Sequence, residues 1–313
     1  MTANLRLRFA FLAAVLVATP ALTPAAVAGQ AAGGARSPAA RPSASASQAA
    51  TSPAASPAAS PAAAPGAKRR QHTVIVDAGH GGVDRGMTGM TSARRPVYEK
   101  DITLSIARLL AARLEAAGVR VVMTRTADTL IGLYDRGPIA NAADGDAFIS
   151  IHVNAANPNW KDPSAARGFE TYFLAEARTE DERRVAEMEN ASVQYDTGPR
   201  APRNDDALGF MLSDMLQNEH LRESSDLAST IQQGLRAVHP GPSRGVKQGN
   251  LVVLVKAFMP SVLVEVGFGS NRSEADWIAS ASGQAQLADS IARSTLDYLA
   301  RYDRRVTGGS SGK

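Results

Sequence analysis

Residues 73–82, TVIVDAGHGG, decide how this chain is read. A run of β-formers, Thr73 to Val76, gives way to an aspartate, an alanine and three glycines that enclose a single imidazole, His80. A strand that stops in small residues beside a histidine marks the carboxyl end of a strand in an open α/β sheet, where such folds place their sites. The segments downstream fit that frame. Asp101 is placed to cap a helix whose apolar residues Ile102, Ile106, Leu109, Leu110 and Leu114 recur every three or four positions up to Gly118. Residues 119–123 read as the next strand, 133–143 as a helix with Pro138 near its first turn, 147–153 as a buried strand and 168–174 as an alternating one. A charged helix is expected over 179–192, then a loop rich in Pro, Arg and Asp over 196–206, then two helices, 207–217 and 221–238. Strands at 251–255 and 262–266 and a helix over 287–302 close the domain. The fold class predicted is α/β: one open, mostly parallel twisted sheet flanked by helices, with a helical insertion near the site.

Sequence of another kind precedes this domain. Arg6 and Arg8 lead into an apolar run, 9–18, and Ala26-Val27-Ala28 offers a cleavage site before Gly29, the layout of a secretory signal peptide over 1–28. The run is shorter than the roughly 20 residues a spanning helix needs, so an uncleaved anchor is the weaker alternative and no stable membrane insertion is expected after cleavage. Residues 29–70 are almost all Ala, Pro, Ser and Gly, with the near-repeat SPAASPAASPAAAP at 52–65, and read as a disordered linker. If extended, about 40 residues at ~3.1 Å each reach on the order of 100 Å. The domain itself is placed at 71–303, with 304–313 as a frayed tail.

The 313 residues include no cysteine, which excludes disulfides, thiolate metal sites and a lipid anchor on an N-terminal Cys. Any metal must be held by His and carboxylates. The formal net charge of +4 is mild, and Lys68-Arg69-Arg70 at the linker's edge reads as a solvated hinge, so no nucleic-acid partner is expected.

Two of the five histidines stand at strand ends: His80, and His152, which closes 148–151 shortly before Asn154. Glu99 lies in VYEKD, just ahead of the first helix. His80, Glu99 and His152, on separate elements, make a three-ligand set that leaves a fourth position to water. Nitrogen and oxygen donors favour zinc without excluding other divalent ions. Each histidine alone reads more readily as a hydrogen-bonded structural residue, and Glu99 alone as a surface charge. Glu265, in LVEVGFGSN, interrupts an apolar strand, where a carboxylate is costly unless paired with a buried Arg or used in chemistry; beside a metal it is placed as a general base. The glycine cluster lacks the Gly-Lys-Ser/Thr ending of a phosphate-binding loop.

Four stretches, VIVDAGHGGVDRGMTG, YEKDITLSIARLL, ISIHVNA and MPSVLVEVGFGSN, resemble the successive motifs of the zinc-dependent N-acetylmuramoyl-L-alanine amidases of the type-3 family. The resemblance covers nearly all of the chain after the linker. It implies that His80, Glu99 and His152 bind Zn2+, that Glu265 is catalytic, with Asn154 a candidate substrate contact, and that peptidoglycan is the substrate. It further implies a hydrolase that cuts between muramic acid and L-alanine, acting in daughter-cell separation from the periplasm or cell-wall space. Two departures, Ala78 where proline is frequent and Gly269 where a larger apolar residue is usual, touch no proposed ligand.

The connection RTEDERRVAEMENASVQYDTGPRAPRNDDALGFMLSDMLQ, 178–217, resembles the longer insertion of the family's cell-division members, where a helix covers the active site until an activator moves it. The resemblance implies a regulatory segment over 175–217, with Glu189, or else Glu187, as an inhibitory zinc ligand; each singly also reads as a solvated charge. His72, His220 and His239 read as ordinary surface or helix-end residues, and Trp160 and Trp277 as packing residues. Two rival functions keep the same motifs in view: a wall-binding module without catalysis, and a zinc carboxypeptidase or sugar deacetylase of the same wall. A monomer is expected, since no apolar helix face is spare.

Overall fold

In the computed structural model, which describes residues 71–196 and 207–309 (side chains of 207–219 and 307–309 excepted), six strands form one sheet in the order β4-β1-β5-β8-β6-β7. The expected signal peptide and linker, most of the 196–206 loop and residues 310–313 lie outside the described residues. In chain order the elements are β1 (Thr73–Ala78), β2 (Thr88–Met90), β3 (Pro96–Tyr98), α1 (Glu99–Ala116), β4 (Arg120–Met123), α2 (Leu133–Ala142), β5 (Ala147–Asn154) and β6 (Phe169–Leu174). Then come α3 (Glu180–Asn190), α4 (Ala207–Leu235), β7 (Ser243–Gly249), α5 (Val252–Val255), β8 (Ser261–Phe268), α6 (Arg272–Ile278) and α7 (Ala281–Gly309). Strands β4, β1, β5 and β8 run parallel, β6 pairs antiparallel with β8, and β7 runs parallel to β6. This is the mostly parallel α/β sheet the sequence predicts.

The strand period of two sorts side chains onto two faces. Val74 and Val76 of β1, Ile149 and Ile151 of β5, and Val262, Val264 and Val266 of β8 pack with α1, α4 and α7. Ile75, Phe148, Leu263 and Tyr172 pack on the other face with α2, α3 and α5. Strands β5 and β8 are buried along all eight residues, as central parallel strands are.

Several boundaries differ from expectation. Helix α1 starts at Glu99, not at an Asp101 cap: the amides of Glu99 and Lys100 donate to the Met87 and Arg85 carbonyls, so tertiary partners satisfy the first turn. Residues 251–255 form a turn of helix within a buried patch, because an apolar run alone does not distinguish strand from helix. The strand missed there is β7, SRGVKQG, a polar edge strand with no apolar alternation. The two helices expected over 207–238 are one, α4. Helix α7 runs through residue 304 to Gly309, past the expected start of the tail, and Arg305 pairs with Glu223 and Asp226. The β2–β3 hairpin and α6 were not foreseen.

Candidate metal centre

His80 sits just past β1 with φ 60°, a left-handed conformation uncommon for a side-chain-bearing residue. Its surroundings hold it there. Arg136, from α2, donates to the Ala78 and His80 carbonyls at 2.8 and 3.0 Å and pairs with Asp77 at 2.7 Å, while Arg125 donates to the Ala78 and Gly79 carbonyls, each at 2.9 Å. Two glycines make the room: a Cβ at Gly79 would meet the His152 ring at 2.6 Å, and one at Gly86 would meet the Glu99 Oε2 atom at 2.5 Å. That explains why the strand ends in small residues: backbone and imidazole must pass within contact distance of the other site residues. Asp84 completes the mounting, accepting from His80 Nδ1 at 2.9 Å and so leaving Nε2 to face the cluster with its lone pair.

The structure brings His80, Glu99, His152 and Glu189 together, all buried, each offering one donor atom and all four atoms within 4.8 Å of one another. His80 Nε2 lies 3.1 Å from Glu99 Oε1 and 3.2 Å from Glu189 Oε2, and His152 Nδ1 lies 3.1 and 2.7 Å from the same oxygens. Yet His80 Nε2, His152 Nδ1 and Glu189 Oε2 have no hydrogen-bond partner. Three buried polar atoms orphaned around one point fit a cation between them, since buried polar groups are otherwise satisfied. The donors, two imidazoles and carboxylate oxygens, suit a divalent metal. Glu99 is oriented by two backbone amides: Met87 N donates to Oε2 at 2.7 Å and Val153 N to Oε1 at 2.8 Å. Electrostatics agree with positive charge here. Burial pulls His152 down, but the Glu189 and Glu99 carboxylates outweigh it and hold the imidazole up to about 9. Glu99, although fully buried, is held well below the usual carboxylate range by the two imidazoles.

Glu265 stands beside this cluster. It lies opposite His152 in the β5–β8 register, is fully buried, and neither of its oxygens has a partner. Burial, then the Glu189, Glu99 and Glu170 carboxylates, push its carboxyl well above the ordinary range. Among the described residues no buried Arg pairs with it, so the salt-bridge alternative finds no support there. Glu170, its partner across the β6–β8 pair, is instead satisfied: it accepts from Asn154 Nδ2 at 2.7 Å, from the Tyr172 hydroxyl at 3.1 Å and from Arg244 Nε at 3.0 Å.

Of the two alternatives on the insertion, Glu189 joins the cluster and Glu187 points to solvent. The α3 helix that carries Glu189 starts with a full capping box, Thr179 and Glu182. Asn154 is buried, its amide engaged by Glu170 and its oxygen 3.4 Å from Arg184 Nη2. His239 is a correction: it is buried, donates from Nε2 to the Val266 carbonyl, accepts the Gly241 amide at Nδ1, and packs between Phe169 and Trp277. His72 and His220 are half-buried; Arg184 covers the Trp160 ring. Sequence reasoning missed Asp84, Arg136, Arg125 and Glu170. Asp84 alone left a signal, four residues after His80 in the first motif; the arginines come from distant segments that no local pattern connects. A cavity of about 220 Å3 opens beside the cluster, lined by Gly86, Met87, Met188, Glu189, Gln194 and Tyr195 among others.

Residues 74–296 match the family model described as N-acetylmuramoyl-L-alanine amidase. The chain is 32% identical over 242 residues to the N-acetylmuramoyl-L-alanine amidase AmiA of Escherichia coli (strain K12), covering 77% of this chain and 79% of that protein. Among solved structures, the N-acetylmuramoyl-L-alanine amidase from Clostridium difficile 630 is similar with a TM-score of 0.53 and 31% identity, over 74% of this chain and 97% of that one. The amidase AmiC2 of Nostoc punctiforme is similar with a TM-score of 0.52 and 29% identity, over 73% and 97%.

Proposed function

This chain belongs to the N-acetylmuramoyl-L-alanine amidase family, hydrolases of peptidoglycan, and we propose that it cuts the muramoyl–L-alanine amide with a zinc ion held by His80, Glu99 and His152. The observation that carries this reading is the convergence of orphaned buried donors next to a carboxylate, Glu265, that is itself unpartnered. Zinc in such a set supplies a Lewis acid that makes water nucleophilic near neutral pH and draws charge from the scissile carbonyl. Glu265 takes the proton from the attacking water on one carboxylate oxygen and returns it to the leaving α-amine of L-alanine, general base then general acid. Its lack of any hydrogen-bond donor leaves both oxygens free for that transfer. Asp84 keeps the His80 ring in the tautomer that presents Nε2, and the Met87 and Val153 amides keep Glu99 turned inward.

Glu189 fits the fourth donor position, where it excludes water, so in this conformation the enzyme is held off. Release requires the 175–217 segment to move, the task of an activator protein. Because the substrate lies outside the cytoplasmic membrane, the reading includes export by the 1–28 signal peptide and a 29–70 linker that frees the catalytic domain at 71–303 to range over the wall. Among the described residues no helix is long and apolar enough to cross a membrane. The test is zinc content together with products released from purified peptidoglycan, for the parent and for Glu265→Ala. Stem peptides from the parent, and bound zinc without release in the variant, are expected; release of sugars or of terminal amino acids in place of whole stem peptides overturns the reaction assigned. Glu189→Ala is expected to speed release about tenfold, the arithmetic of a blocked state populated roughly nine parts in ten; an unchanged rate removes the inhibitory role.

A further inference from the structure

Outside the metal centre a surface groove of about 890 Å3 lies between the β2–β3 hairpin and the end of β8. Its floor and walls are Thr88, Gly89, Met90 and Ser92 on one side, Ser270, Asn271, Arg272 and Ser273 on the other, with Ser164 closing it. Both sides continue directly from site residues. Thr88 follows Met87, whose amide holds Glu99, and Ser270 lies five residues past Glu265, after Gly269, whose amide donates to the Asn154 carbonyl at 3.0 Å. The two sides touch without side chains between them: a Cβ at Gly89 would collide with the Gly269 carbonyl, and one at Gly269 with Met87. A residue larger than glycine at either place would push the hairpin away from β8, which accounts for Gly269 where a larger residue is usual.

The lining has a definite chemistry. It carries four serines, a threonine and an asparagine, no aromatic ring and no acidic side chain, and its one charge is Arg272. Arg272 is exposed and forms no ion pair among the described residues. Asp276, one turn further on, is engaged by the Ser92 amide at 3.0 Å; a guanidinium outside any ion pair and ringed by hydroxyl groups recognises a carboxylate in an extended polar chain. In the substrate of the proposed reaction the two arms of the scissile amide differ in this respect. On the glycan arm the lactyl carboxyl is consumed in the bond being cut; the peptide arm ends in a carboxylate.

We propose that this groove binds the stem peptide, and that Arg272 is a specificity-determining residue that pairs with one of its carboxylates. The inference rests on the amidase reading, and its test separates the two. Binding of a synthetic stem peptide, with its carboxylates free or amidated, is measured by calorimetry on the full chain and on Arg272→Gln and Arg272→Glu. Because Arg272 is exposed and unpaired, neither substitution threatens folding. The free-acid peptide is expected to bind the parent about three- to tenfold more tightly than its amidated form, as a charge-assisted contact at a surface implies. The Gln variant is expected to lose that preference and the Glu variant to reverse it. On peptidoglycan the Gln variant raises KM with kcat retained, a split that a merely structural role would not give. Equal binding of the two peptides by the parent, an unchanged preference in both variants, or displacement of the peptide by uncharged glycan fragments overturns the assignment. If the parent binds the free-acid peptide selectively but neither the parent nor Glu189→Ala releases anything from peptidoglycan, the groove stands and the amidase reading falls.

Discussion

On the face of the sheet covered by α1, α4 and α7, the strands are apolar from one rim to the other: Val74, Val76 and Ala78 on β1, Ala147, Ile149, Ile151 and Val153 on β5, Val262, Val264 and Val266 on β8. On the face covered by α2, α3 and α5 they change character midway. Ile75 is followed by Asp77, Phe148 by Ser150 and His152, and Leu263 by Glu265, every one of them buried. The antiparallel β6 contributes Glu170 to this polar half from its beginning, because it runs the other way. The first face makes stability and the polar half of the second spends some of it, since buried carboxylates and imidazoles are desolvated and only partly satisfied. The boundary within each strand is one pleat wide, so a single substitution can fall wholly on one side of it.

The largest effect expected is at Glu265. In Glu265→Gln the release of stem peptides falls about 10²- to 10⁴-fold, the range for loss of a general base, while resistance to urea rises. The sign follows from the raised pKa: the folded protein binds a proton that the unfolded chain releases above about pH 4.3, so the parent loses stability as pH climbs and the variant's advantage is greater at pH 8 than at pH 5. A variant that is inactive and also less stable would place Glu265 with the structural residues. Arg136→Met comes next, at about 3–5 kcal/mol, because it strands Asp77 as a buried charge. It also loosens the His80 loop, so zinc content falls with stability; normal zinc content in the folded fraction would show that the loop holds itself. Ile151→Ala, next to His152 but facing the apolar side, costs about 2–5 kcal/mol with release per folded molecule unchanged. If that variant loses activity at full occupancy of the fold, the faces are not independent.

The smallest effect belongs to His239, a titratable group embedded near the apolar side. Burial holds it below its ordinary value, so it is neutral when folded. Stability present above about pH 6.5 is therefore lost as pH falls toward the folded value, at up to ~1.4 kcal/mol per pH unit. The urea midpoint of the parent is expected to drop more between pH 7 and 5 than that of His239→Gln; parallel curves would mean that the imidazole titrates alike in both states.

Periodicity made the apolar face legible. The heptad-like spacing in α1 and the buried runs of β5 and β8 are strong signals because burial on both sides of a strand demands apolar residues. The site residues were visible for other reasons: Glu265 as a carboxylate in an otherwise apolar strand, His80 and His152 as histidines at strand ends, and Glu99 through the motif ahead of the first helix. What stayed hidden is whatever depends on distant partners or on half-exposed surface. Strand β7 carries no alternation because its neighbours bury it incompletely. Arg125 and Arg136 drew no notice in the sequence, because only the fold turns them toward the carbonyls around His80. The choice of Glu189 over Glu187 was a matter of helix phase, which only the docking of α3 sets.

Helix α3 is fastened at both ends. At one, Asp181 is bridged through Arg244 to Glu170, and Arg184 donates to the Ala155 carbonyl; at the other, Asn190 exchanges hydrogen bonds with Asn250 and Val252. Letting go of either end leaves the other to guide the helix home, so a full departure requires two improbable events to coincide. Random agitation then opens the helix with a frequency near the product of two small chances, whereas an agent that grips one end needs to wait only for the other. On the inhibitory reading proposed above, a fastening of this kind behaves as a two-key lock: quiet when left alone, quick once the first key has been turned.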